Sequence, residues 1–129
     1  NPENLKHHTL LHLDQREEWR DWLDAAGING VELSKGAVFN QTSLALDAAA
    51  VGQGVALGRS ALAAPDLLAG RLVRPFEFSL PVAYAYYIVC PKPTAERPKI
   101  KAFREWLVSE AKADETGMKA LGIFAPVSQ

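Results

Sequence analysis

The sequence predicts an α/β fold in which a mostly parallel sheet is flanked by helices. Short apolar runs alternate with stretches of helical periodicity three times between Thr9 and Gly70, the rhythm of strand, crossover helix and parallel strand. A glycine able to stop each helix follows it, Gly27, Gly52 and Gly70 in turn. The 129 residues are 48% apolar and 22% charged, the balance of one ordinary globular domain, which excludes disordered, collagen-like and solenoid chains. Crossovers between such strands are right-handed.

The first apolar run, Thr9-Leu10-Leu11-His12-Leu13, reads as a strand that changes abruptly at Asp14 into a helix. Trp19, Trp22, Leu23 and Ala26 recur there at spacings of three and four. Asp14 is placed to cap that helix, with Glu17 three residues on as in a capping box. Gly36-Ala37-Val38-Phe39 is the second strand, Asn40-Gln41-Thr42-Ser43 a capping turn, and residues 44–51 an alanine-rich helix. Gly52-Gln53-Gly54 breaks it, and Val55-Ala56-Leu57 is the third strand, ahead of Arg59 and Ser60. A weaker helical turn over residues 61–69 is interrupted by Pro65 and closed by Gly70.

From Leu72 the rhythm changes. Residues 72–76 and 84–89 are extended stretches, the second being the most strand-like segment of the chain. Pro91, Pro93 and Pro98 punctuate the next loop, and Pro98 suits the first turn of a helix with Ile100, Phe103, Trp106 and Leu107 on one face. That helix is expected to end near Lys112, and residues 113–129 receive no element.

Charge and composition remove several function classes. Fourteen Lys and Arg against 15 Asp and Glu give a net charge of -1, without the basic footprint of a nucleic-acid-binding module. No apolar run approaches the roughly 20 residues that cross a bilayer. The first residues, Asn1-Pro2-Glu3-Asn4, are polar where a secretion signal is basic and then apolar. The single cysteine, Cys90, forms no internal disulfide, so a cytoplasmic location is the default. A first residue other than methionine leaves room for a longer protein.

The chemical inventory is thin. His8 and His12 are four apart, but on a strand that spacing covers about 13 Å, too far for one metal ion, and His7 and His8 face opposite ways. A half-buried, hydrogen-bonded His12 is the plainer expectation. Gly52 to Gly58 resembles a dinucleotide fingerprint, yet its glycines follow a helix and precede a strand, the reverse of the required order. They fit a helix stop with close helix-to-sheet packing. Ser60 lacks the second glycine of a nucleophile elbow, Cys90 reads as a buried small hydrophobe, and the carboxylates form no acid/base pair. Trp19 and Trp106 read as packing anchors. No catalytic residue, metal or cofactor is expected.

One constellation remains. In parallel α/β sheets ligands bind at the carboxyl ends of the strands, where helix N-termini also point. Three such ends are His12-Leu13-Asp14, residues 39–43, and Leu57-Gly58-Arg59-Ser60. The middle one is richest: Phe39 as an aromatic wall, the Asn40 amide, and the Thr42 and Ser43 hydroxyls ahead of free backbone amides. Those amides and the helix dipole favour a small anion such as a carboxylate, and Arg59 can add a clamp. The competing reading makes Asn40, Thr42 or Ser43 a simple helix cap and Arg59 a solvated surface charge.

These residues resemble a known family. The Thr9-Leu-Leu-His12 run, the Trp-containing helix, residues 43–59, the Asp66-Leu-Leu-Ala-Gly-Arg-Leu-Val-Arg-Pro-Phe76 block, Tyr86-Tyr87-Ile-Val-Cys-Pro91 and Phe103-Arg-Glu-Trp-Leu107 occur in the order seen in LysR-type transcriptional regulators. The likeness is to their effector-binding domain, nearest the glycine-cleavage-activator branch, and covers residues 1–112. It implies a fold like the type 2 periplasmic binding proteins, with two α/β subdomains around a cleft. Residues 1–82 would form the second subdomain, 83–112 a return strand and helix packing on the first, and 113–129 a tail. Effector-binding positions carried over are Phe39, Asn40, Thr42 and Ser43, with His12 and Arg59 more loosely matched.

The resemblance also implies a homo-oligomer, dimer or tetramer, that senses a small-molecule effector. Operator DNA would be contacted only through an N-terminal winged helix-turn-helix lying before Asn1, and no membrane is involved. A solute-binding receptor of a transport system is the alternative, and an enzyme is disfavoured. Taken alone, these residues are expected to expose the return strand and the Phe103, Trp106, Leu107 face. The chain then dimerises, by exchanging that segment, or folds the helix onto its own sheet.

Overall fold

A central strand needs side chains that are apolar on both faces, and the run at Leu10 supplies them. In the computed structural model, which describes residues 1–14, 16–81 and 86–123, β1 (Leu10–Leu13) is that strand. It pairs in parallel with β2 (Val38–Phe39) on one side and β3 (Val55–Ala56) on the other, giving the order β2-β1-β3. His12 faces Val38 and Leu13 faces Phe39 in one register; Leu10 faces Val55 and Leu11 faces Ala56 in the other. The chain divides into two compact units, Asn1–Leu80 and Pro81–Gln129.

In the first unit, three helices follow the three strands: α1 (Glu17–Ala25), α2 (Thr42–Ala50) and α3 (Ser60–Leu68). Leu10 packs with Leu5, Trp19, Trp22, Leu23 and Ile28 in one buried cluster, to which Val55 and Leu57 add their edges. Leu5 comes from a 3-10 turn, Pro2–His7. The Trp19 indole N–H donates to the Leu11 carbonyl at 2.9 Å, so this buried ring satisfies its polar atom as well as filling space. Trp22 stacks edge-on to Trp19 and Phe78 and at a tilt to Phe76. Residues alternate along a strand, so Leu11 turns to the other face, where Ala45, Leu46, Ala48, Ala63 and Ala64 of α2 and α3 are buried.

The glycines behave as read. Gly27 takes a φ of +70°; its N–H bonds to Asp24 and that of Ile28 to Leu23, which satisfies the last carbonyls of α1. The same pair of closing bonds ends α2 and α3. Gly54 passes so near β1 that a Cβ would strike the Thr9 carbonyl oxygen, and one on Gly58 would press Leu46 and Ala63. The fingerprint-like Gly52 to Gly58 stretch is therefore helix stop and close packing.

Several starts and ends differ from the sequence expectations. Asp14 does not cap α1, which begins at Glu17 behind Arg16 without a side-chain cap bond. The second helix starts at Thr42, two residues early, because nothing in residues 40–43 diverts its backbone. Pro65 lies inside α3 and does not interrupt it: the i−4 bond it removes is to the carbonyl of Ala61, an exposed residue. Residues 72–76 form no ladder, although Phe76 still packs on Trp22.

The second unit contains a 3-10 turn, Lys92–Thr94, and α4 (Pro98–Ala120). Of the expected strand, Tyr84 lies outside the described residues, as does Ala85. Tyr86, Tyr87, Ile88 and Val89 are exposed and belong to no strand, since a strand exists only through a paired neighbour and these residues form no ladder among the described residues. The helix passes Lys112 and runs on to Ala120. A Lys119 to Glu115 pair at 2.7 Å supports the added turns, and Gly122 ends them, its N–H bonding to Lys119 and that of Ile123 to Met118. Trp106 is 53% exposed beside Phe103 at 58%, with ring centroids 5.7 Å apart, so it anchors no core here. Cys90 is half-buried.

Candidate functional site

Because all three strands run parallel, their carboxyl ends share one edge of the sheet, and α1, α2 and α3 all begin there. The first amides of a helix have no partner within it. None of the three N-cap residues, Arg16, Gln41 and Arg59, makes a side-chain cap bond. This edge therefore presents three sets of free N–H groups with the positive ends of their helices, the arrangement that favours an anion.

Phe39, Asn40, Thr42 and Ser43 come together as one turn at the end of β2. Phe39 and Thr42 are half-buried, Asn40 and Ser43 exposed. No side chain among them caps α2, so the simple-cap alternative is not what holds these residues. Arg59 stands elsewhere: β3 lies beyond β1 from β2, two strand spacings or about 10 Å across the sheet. Its guanidinium donates to the Glu18 carboxylate at 3.3 Å, tying the end of β3 to the first turn of α1. With side chains 35% and 44% exposed, the pair is screened and exchangeable.

His12 sits between them in sheet order and is completely buried. Its Nε2 lies 2.7 Å from the Lys35 carbonyl oxygen, so that nitrogen carries the proton and donates. Its Nδ1 is buried without a partner among the described residues. His7 and His8 are exposed. Among the described residues no group of three His, Cys, Asp or Glu is arranged to hold a metal.

Three groups near this edge carried no legible signal in the sequence. Arg16 donates from Nη1 to the Leu33 carbonyl and reaches that of Lys35 at 3.5 Å. Glu18 meets a partner 41 residues away. The Ser34 side chain and then its backbone N–H hold the Glu32 carboxyl below the usual carboxylate range, with attraction from Lys35 adding to both. An open groove beside Arg104, Val108 and Lys112 lies along α4 alone and shares no residue with the sheet edge.

A family model described as the LysR substrate binding domain matches residues 1–112. The glycine cleavage system transcriptional activator of Escherichia coli (strain K12) is 40% identical over 114 residues, covering 88% of this chain and 37% of the relative. The HTH-type transcriptional activator AmpR of Providencia stuartii is 34% identical over 109 residues, covering 84% and 37% respectively. A solved effector domain, that of the transcriptional regulator AmpR of Pseudomonas aeruginosa, superposes with a TM-score of 0.60 at 28% identity, covering 91% of this chain and 56% of that one. The chain thus spans little more than a third of the curated relatives it matches. These relatives are transcriptional regulators by name and lend nothing to the transport-receptor alternative.

Proposed function

We propose a function from one premise: this chain belongs to the LysR substrate binding domain family, matched along residues 1–112. It is the effector-binding part of a DNA-binding transcriptional regulator and works as a sensor, not as an enzyme. The family fold is that of the type 2 periplasmic binding proteins. Residues 1–82 supply one wall of a cleft, and residues 83–112 lead back toward the other subdomain. The whole regulator is a cytoplasmic homo-oligomer, dimer or tetramer, meeting operator DNA through a helix-turn-helix outside these residues. Among the described residues no helix is long and apolar enough to cross a membrane.

The effector is a small carboxylate or amino acid, and one observation carries this: the first turn of α2 has no side-chain cap and is framed by Phe39, Asn40, Thr42 and Ser43. A carboxylate there accepts from the free amides and from the Asn40 and Thr42 side chains. Arg59 offers a second contact once the effector displaces Glu18. Signalling then needs only that the effector bind one arrangement of the regulator more tightly than another.

Acetate and glycine, the simplest members of each class, test this by amide-resolved NMR titration of the 129-residue chain against a chloride control. The expected result is a saturable shift of the Thr42, Ser43 and Leu44 amides, with Asn40→Ala and Thr42→Ala each weakening binding about fivefold, the worth of one hydrogen bond. Shifts absent for both probes, or unchanged in both variants, overturn the assignment.

A further inference from the structure

We propose that His12 is a positioning residue for the turn at Phe39, Asn40, Thr42 and Ser43, acting with Arg16 through the Lys35 carbonyl and touching no ligand itself. The inference rests on the effector reading only for what that turn does; the fastening is argued from the fold.

β2 is two residues long and sits at the edge of the sheet. Val38 is 48% exposed, so burial of that side chain does little to hold it. The β1–β2 ladder opens with the bond from the His12 N–H to the Ala37 carbonyl at 2.9 Å. A ladder this short leaves a strand free to fray or slip. The turn that follows inherits whatever freedom β2 has.

Side chains from β1 and from the residue just ahead of α1 supply the missing restraint. The Lys35 carbonyl accepts from His12 Nε2 at 2.7 Å and is reached by Arg16 Nη1 at 3.5 Å; Arg16 also donates to the Leu33 carbonyl. One residue on, Gly36 presses its backbone so closely on β1 that a Cβ would overlap the Leu10 carbonyl oxygen. The loop is thus pinned at Leu33, Lys35 and Gly36, immediately before β2. The bond from Nε2 is what a leucine at this completely buried strand position could not make, and it is kept even with Nδ1 unpartnered among the described residues. Complete burial also removes the ring from any ligand in the cleft.

The test compares His12→Gln, which keeps a donor at the corresponding distance from the backbone, with His12→Phe, which keeps the ring and loses the donor. Hydrogen exchange is read residue by residue on the whole chain. The expected result for His12→Phe is exchange of the Phe39 amide faster by about tenfold, the protection one buried hydrogen bond supplies. The Val55 amide of β3, which donates to the Thr9 carbonyl, stays as in the parent, and His12→Gln restores most of the protection. Acceleration equal at Phe39 and Val55, no acceleration, or no rescue by glutamine each overturns it.

Where His12→Phe fails to fold, Arg16→Gln gives the same reading from the exposed side of the clamp. The ring 15N shifts of the parent must also show a protonated Nε2 and a bare Nδ1; the opposite tautomer overturns the proposal. None of these readouts uses a ligand. Acetate failing to shift Thr42 in the parent therefore removes the effector assignment while leaving the clamp to be judged on exchange alone.

Discussion

Gly36 has a φ of +98° and lies against the Leu10 carbonyl, so two separate penalties meet at one atom. An added methyl is strained in that backbone region and has no room on the side facing β1. Gly30 also has a positive φ, but its Cβ would meet nothing within 4 Å. The two positions therefore separate conformation from contact. Gly30→Ala is expected to lower stability by about 1 kcal/mol, from backbone strain alone. Gly36→Ala is expected to cost about 3 kcal/mol or more, because the loop must leave β1. Urea denaturation of both variants checks this, and equal losses would show that the approach to Leu10 is not a constraint.

At the level of elements, the ends of α1, α2 and α3 are legible in the sequence and the starts of α1 and α2 are not. Gly27, Gly52 and Gly70 mark their stops because a left-handed turn leaves few alternatives to glycine. Asp14 fails as a cap because the chain bends once more and α1 begins behind Arg16, a choice made by the loop and not by the local code. The turn at residues 39–43 could be found from strand and helix order alone, since parallel topology dictates which edge is free. The burial of His12 and the pairing of Arg59 with Glu18 could not, because both depend on loops and partners distant in sequence.

α4 extends eight residues past the end expected near Lys112; Gly117 and mixed polarity obscure its last turns in the sequence, and what supports them is local charge. A hydrogen bond from Lys119, then the attraction of its charge, holds the Glu115 carboxyl below its ordinary value of 4.5. A carboxyl lowered in the folded chain contributes its stabilisation above the unfolded value and loses it as pH falls through the folded one. Acidification from neutrality is therefore expected to fray residues 115–120 while the β1 amides remain protected. Glu115→Gln should show that fraying at neutral pH already. Identical amide-exchange profiles against pH in the two proteins would count against the pair.

At the scale of the whole molecule, the two units differ in what they keep from water. The first buries a tryptophan-rich cluster and an alanine-lined face around one sheet. The second leaves Phe103, Trp106, Tyr87 and Val89 at 58%, 53%, 80% and 86% exposure. Apolar groups so concentrated on one helix and one unpaired segment tend to find a cover. In the regulator proposed above, that cover is the other subdomain; the solved AmpR effector domain is a longer chain, of which this one matches 56%. For the 129 residues alone, a second copy can supply it. Light scattering across a concentration series is expected to show self-association. Phe103→Glu with Trp106→Glu should abolish it while shifting stability by no more than about 0.5 kcal/mol, since neither exposed ring holds the fold. A parent chain that stays monomeric at every concentration would mean that these faces need no partner. An associating double variant would place the contact elsewhere, with the unpaired residues 86–89 next to be substituted.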